Sequence, residues 1–177
     1  MKLQRIPAGR IVNAHGVRGE VRVLPRDGDP ALLRRFHTFL LDTDVFPGRR
    51  VTPLSVRVHK GFALMKFPGV DSCDSALALK GTELYLDRAE APEGMIFDAE
   101  LLGMEVYDGE TGTRLGEITQ VETYPASKVY TVRGKDASGR KQTYLIPAVE
   151  GAFIRSVDIE ANRMEIQMWE GLAVDGD

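Results

Sequence analysis

Cysteine is all but absent from this chain. Cys73 stands alone, which excludes an internal disulfide and fits a reducing compartment. Histidine is scarce too. His15, His37 and His59 are widely spaced, and none has a cysteine or second histidine at ligand spacing, so no metal site is expected. No apolar run approaches the roughly 18–20 residues that a membrane-spanning helix needs. Residues 1–7 carry charge without an apolar core, unlike a secretory leader. These absences point to a cytoplasmic protein with no membrane partner. Catalytic machinery is thin as well. Gly16-Val-Arg-Gly19 fits neither common nucleotide-loop pattern, and no cofactor is expected. Ser72, Cys73 and Ser75 have no histidine close in sequence to activate them.

What the chain does have is an uneven charge. Composition is ordinary for a globular protein, with 43% hydrophobic and 28% charged residues. Residues 1–90 carry fifteen lysines and arginines against ten acids, a balance of +5; residues 91–177 carry eight against sixteen, a balance of −8, which together make the chain's −3. A cationic half suits a phosphate backbone and an anionic half suits a basic protein. The split predicts two domains with different partners.

Short alternating runs dominate both halves. Strands are expected at 10–13, 20–24, 38–41, 50–59, 63–67 and 83–86, divided by Asp27-Gly-Asp-Pro30, Pro47-Gly48, Lys60-Gly61 and Pro68-Gly69. Pro53 marks an edge or a bulge in the fourth run. Residues 30–35 read as one or two helical turns started by Asp29. Residues 71–80 read as a short helix, capped by Asp71 or Ser72 and stopped at Gly81, with Ala76, Leu77 and Leu79 covering one mouth of a barrel. Further strands are expected at 105–107, 113–122, 128–133, 142–147 and 164–168, with a short one near 154–157. The fold class is therefore all-β, two small barrels with short helices, the first at 1–88, a linker at 89–97 and the second at 98–177.

The most informative segment is Gly9 to Val23. Its two strands flank a turn with Gly16 and Gly19, which tolerate positive φ, and with His15, Arg18 and Glu20 around them. Arg10, Arg18 and Arg22 are candidates for phosphate contact, because arginine suits phosphate and base stacking. His15 and Glu20 complete that surface, or, on a rival reading, form an acid–base pair of an RNA-processing enzyme. In the second half Met95-Ile-Phe97 forms an apolar cluster before the acidic Asp98 and Glu100; such a cluster at a linker usually packs between domains, and the alternative is an exposed protein-binding patch. Trp169 is read as a core plug or lid.

Taken in order, these segments resemble the RimM family of bacterial ribosome maturation factors. Gly9 to Val23 resembles its amino-terminal signature; Gly69-Val-Asp-Ser72, Ala76-Leu-Ala-Leu-Lys-Gly81 and residues 83–87 resemble the end of its first domain. Leu101-Leu-Gly103, Val106, Leu115-Gly-Glu-Ile118, Val129-Tyr130, Leu145-Ile-Pro147 and Val157-Asp158 resemble its PRC barrel. The resemblance implies a six-stranded barrel like those of translation factors, followed by a PRC barrel. It implies a monomeric, non-catalytic chaperone acting on 16S rRNA and the immature 30S subunit. It further implies that the PRC half binds a ribosomal protein of the subunit head, the nineteenth of the small-subunit series. Many relatives carry two adjacent aromatics where this chain has Ile96-Phe97, so protein binding here would lean on Asp98, Glu100 and Tyr124. A generic PRC-type adaptor is the remaining alternative.

Overall fold

A computed structural model describes residues 2–136 and 138–174. The chain divides into two units, Gln4–Met95 and a second that begins at Ile96 and takes in the amino-terminal residues through Leu3.

In the first unit the strands are β1 (Arg5–His15), β2 (Glu20–Pro25), β3 (Phe39–Leu41), β4 (Arg50–Val51), β5 (Ser55–His59), β6 (Phe62–Lys66) and β7 (Glu83–Asp87). They pair antiparallel in the order β4-β3-β7-β1-β2-β6-β5. The run expected as one strand over 50–59 is thus two. Pro53 has no N–H to give a ladder, and the chain bends across Thr52-Pro53-Leu54. Leu54 rejoins the sheet, its N–H donating to the Lys66 carbonyl at 2.7 Å. Because β4 and β5 stand at the two ends of the sheet order, the bend between them brings the sheet round on itself. Counted as one bent strand, they make a six-stranded barrel.

Alternation explains the core. On β2, Val21, Val23 and Pro25 face inward, while Glu20, Arg22 and Leu24 face out. Ile11, Phe39, Met65, Leu84 and Leu86 fill the same interior. The helix is shorter than the sequence suggests: α1 spans Cys73–Leu77 and Ala78–Lys80 continue as tight turns. Ser72 caps it reciprocally, its Oγ accepting from the Ser75 N–H while Ser75 Oγ accepts from the Ser72 N–H, each at 3.1 Å. Ala76 and Leu79 are buried as expected, but Leu77 is exposed, because it lies about 100° round the helix from Ala76. A 3-10 helix at Leu32–Arg35 follows Asp29, whose Oδ1 accepts from the Ala31 N–H at 2.8 Å.

The second unit holds β8 (Glu105–Asp108), β9 (Arg114–Thr123), β10 (Lys128–Lys135), β11 (Lys141–Pro147), β12 (Ile154–Asp158), β13 (Arg163–Ile166) and β14 (Ala173–Val174), in the order β12-β13-β8-β9-β10-β11-β14. The β13–β8 pair is parallel, a feature that alternation does not reveal, and β14 adds a strand the sequence did not suggest. Met104, Val106, Ile118, Val132, Ile146, Met164 and Ile166 make its core. The segment read as a linker carries structure of its own. Arg88–Glu90 form a 3-10 helix, Arg88 Nη2 donates to the Met95 carbonyl at 2.8 Å, and Phe97 is buried in the second unit ahead of α2 (Asp98–Leu101). No helix among the described residues is long and apolar enough to cross a membrane.

Candidate functional site

The glycine turn between β1 and β2 is held from below. Gly16 and Gly19 take φ of +64° and +83°. Gly16 sits in open space, but a Cβ on Gly19 would fall 2.0 Å from the Val70 carbonyl oxygen. The close approach is fastened by Lys66. Its Nζ donates to the Arg18 carbonyl at 2.7 Å, to Asp71 Oδ1 at 2.8 Å and to the Val70 carbonyl. Val17 and Arg18 are left exposed at the tip.

Strand register then assembles a charged face on the outside of this barrel. Arg22 and Arg57 both stand opposite Leu64, on β2 and β5, while Glu20 stands opposite Lys66. Arg57 reaches over β6 to Glu20, with Nε donating to Oε1 at 3.1 Å and Nη2 to Oε2 at 2.8 Å. Leu64 beneath is fully buried although it points away from the core, because these side chains roof it. Arg22 packs its guanidinium 5.2 Å from the Phe62 ring centroid. Its Nη2 lies 3.5 Å from His15 Nδ1, a hydrogen bond for the His15 tautomer that leaves Nδ1 unprotonated. Arg22 Nε is buried with no hydrogen-bond partner among the described residues. The rings of His15 and His59 approach to 5.6 Å.

The electrostatics follow from this crowding. The Arg57 hydrogen bond holds the Glu20 carboxyl below its ordinary range against the opposing cost of burial; the charges of Arg57, His15 and Lys66 act in the same direction. His59 is held below its ordinary value by burial, then by repulsion from Lys60, His15, Arg57 and Arg22. The face is therefore a region of positive potential with one carboxylate already committed. Both Glu20 oxygens are thus ion-paired to Arg57, with His15 directly opposite Glu20 on β1.

Of the sequence candidates, His15, Glu20 and Arg22 come together here, with Arg18 at the adjoining turn. Arg10 lies apart from them, donating to the Gly81 carbonyl at 3.3 Å and pairing with Glu83 at 3.5 Å. Arg57, His59, Phe62 and Lys66 were missed. The Lys60-Gly61 turn, with φ of +48° and +79°, signals the β5–β6 hairpin that aligns them, but nothing local signals that β6 lies beside β2.

The second unit corrects the protein-binding set. Phe97 is 2% exposed and Glu100 is fully buried, so neither offers a contact surface. Glu100 Oε2 accepts from the Phe97 N–H at 3.4 Å and Oε1 from the Leu3 N–H at 3.3 Å, so it serves as a structural acceptor. Asp98 is gripped by Lys128 at 2.6 Å to each oxygen. Ile96 and Tyr124 are exposed. Trp169 is no core plug: it is 57% exposed, with Nε1 donating to the Ala152 carbonyl at 3.3 Å and its ring 6.3 Å from Phe153.

Comparison with known proteins follows the same division. The RimM N-terminal domain profile matches residues 6–91, and the RimM PRC barrel domain profile matches residues 98–172. The chain belongs to the RimM family. The ribosome maturation factor RimM of Acetivibrio thermocellus is 30% identical over 98% of this chain and 98% of its own length. RimM of Lactobacillus delbrueckii subsp. bulgaricus is 34% identical, covering 93% of this chain and 96% of that one. The crystal structure of a RimM from Pseudomonas aeruginosa is 27% identical, covers 93% of this chain and 97% of its own, and has a TM-score of 0.45.

Proposed function

We propose that this protein is a non-catalytic assembly chaperone of the small ribosomal subunit, working as a cytoplasmic monomer. It binds the immature 30S particle, assists assembly of the head and processing of 16S rRNA, and leaves when the mature site forms. The observation that carries this reading is the ordered pair of RimM domains along the chain. The charge split supports a division of labour, with the basic half toward rRNA and the acidic half toward a basic head protein, the nineteenth of the small-subunit series. In the acidic half the side chains available for that contact are Ile96, Asp98 and Tyr124. Commitment of Glu20 to Arg57 favours docking over catalysis at the basic face.

The test is a pull-down with tagged full-length protein from cells accumulating immature subunits. Enrichment of immature over mature 30S particles supports the reading. Equal capture of both, or of neither, overturns it. Incubation of purified protein with precursor 16S rRNA separates the enzymatic alternative, which requires turnover of the RNA.

A further inference from the structure

The outer face of the first barrel holds an arginine whose charge is unanswered. Arg22 shares its strand face with Glu20, yet both Glu20 oxygens are taken by Arg57. Among the described residues Arg22 has the 3.5 Å contact to His15 and the Phe62 ring, and its Nε is a buried donor without a hydrogen-bond partner there. Arg22 is half-buried, and leaving its buried Nε–H donor without a partner is costly, so such a group attracts an acceptor that carries negative charge. His15 and His59 stand beside it as further donors, with rings 5.6 Å apart. Exposed Lys60 turns the corner next to His59, and the 3-10 helix bearing Arg34 and Arg35 packs against β5.

We propose that Arg22, His15 and His59 form a docking notch for a single backbone phosphate of RNA. The proposal rests on the reading of the basic half as the rRNA-facing one, and it names where on that half the backbone is gripped. Charge complementarity selects the occupant. The face has many cations and its nearest carboxylates, Glu20 and Asp71, are engaged by Arg57 and Lys66. A phosphodiester brings one negative charge and acceptor oxygens for the arginine fork and the imidazole N–H groups.

The notch couples binding to a proton. His59 in the free protein is held below its ordinary value first by burial and then by the positive groups around it, Lys60 at the turn, Arg57 on its own strand and Arg22 on β2, with the His15 ring beside it. A phosphate reverses that balance and favours the imidazolium. Binding then takes up a proton, so affinity rises as pH falls through the ordinary imidazole value of 6.5 and below it.

The experiment measures binding of full-length protein to a transcript of the 16S rRNA head domain by fluorescence anisotropy, across salt and pH. Arg22→Gln is expected to weaken binding about tenfold and to lower the slope of log affinity against log salt by about 0.7–0.9. His59→Gln is expected to flatten the pH dependence while binding at about pH 8 changes little. Lys80→Gln, an exposed charge elsewhere on the unit, is expected to retain the pH dependence. Wild-type binding that is unaltered in Arg22→Gln and His59→Gln overturns the notch and leaves the rRNA-facing reading standing. No wild-type binding overturns that reading and the notch with it. Should Arg22→Gln unfold, the His59 ring resonance of the wild-type protein decides: its titration moves to higher pH on adding RNA if the notch is occupied, and an unmoved titration overturns the proposal.

Discussion

Arg57 and Glu20 clasp each other across an intervening strand. They sit on β5 and β2, and the fork of one reaches both oxygens of the other above Leu64 of β6 at 3.1 and 2.8 Å. The clasp ties three strands of the barrel wall together and gives an outward leucine a polar roof. It also engages the carboxylate that shares the strand face of Arg22. One ion pair thus stabilises the wall and leaves the neighbouring face cationic.

The first prediction concerns acid. The Glu20 carboxyl titrates below its usual value of 4.5 when folded, so its contribution to stability is fully present above 4.5 and is lost as pH falls through the lowered folded-state value. Denaturation of wild type and Glu20→Gln across pH 7 to 3 is expected to show a gap that closes toward the acid end. A gap that stays constant or widens in acid counts against the clasp.

The second prediction separates the two glycines of the turn. Gly19→Ala meets both a left-handed backbone and the Val70 carbonyl, and is expected to cost about 3 kcal/mol or more. Gly16→Ala meets only the backbone preference and is expected to cost about 1–2 kcal/mol. Urea denaturation of the two variants should rank them in that order.

The third prediction divides Ile96 from Phe97. Phe97→Ala empties a buried site and is expected to destabilise by about 3–5 kcal/mol. Ile96→Ser alters an exposed side chain and is expected to change stability by no more than about 0.5 kcal/mol. Loss of small-subunit association in Ile96→Ser paired with Tyr124→Ser, at unchanged melting temperature, would assign that surface to partner binding.

The fourth prediction follows from the buried carboxylate. Glu100→Ala removes an acceptor from the Leu3 and Phe97 amides and is expected to cost about 1–3 kcal/mol. Hydrogen exchange at those two amides should accelerate more than at amides of β9. Unchanged exchange at Leu3 would show that the amino-terminal segment is held by other contacts.

Period-two alternation made the hairpins legible. Val21, Val23, Glu20 and Arg22 sort onto their faces as their pattern says. Pro53 warned of the break between β4 and β5. What stayed hidden depends on which strands lie side by side. Arg57 is thirty-seven residues from Glu20, and no local pattern reports that β6 bridges their strands. The same blindness left packing and an exposed patch both open for Phe97, and put Glu100 among the protein-binding candidates. An aromatic beside acids reads as a polar patch until tertiary packing buries the ring and backbone amides claim the carboxylate. Trp169 erred the other way, since size suggested a core residue and the structure sets it on the surface.

The bend at Thr52-Pro53-Leu54 limits how the first barrel meets other molecules. Drawing β4 and β5 to opposite ends of one sheet leaves no strand with an unpaired side longer than the five residues of β5. An incoming peptide finds little backbone to zip onto, and self-association by strand addition is suppressed. What this unit offers other molecules is mainly its outward side chains and turn tips, such as Arg22 on β2 and the exposed Val17 and Arg18.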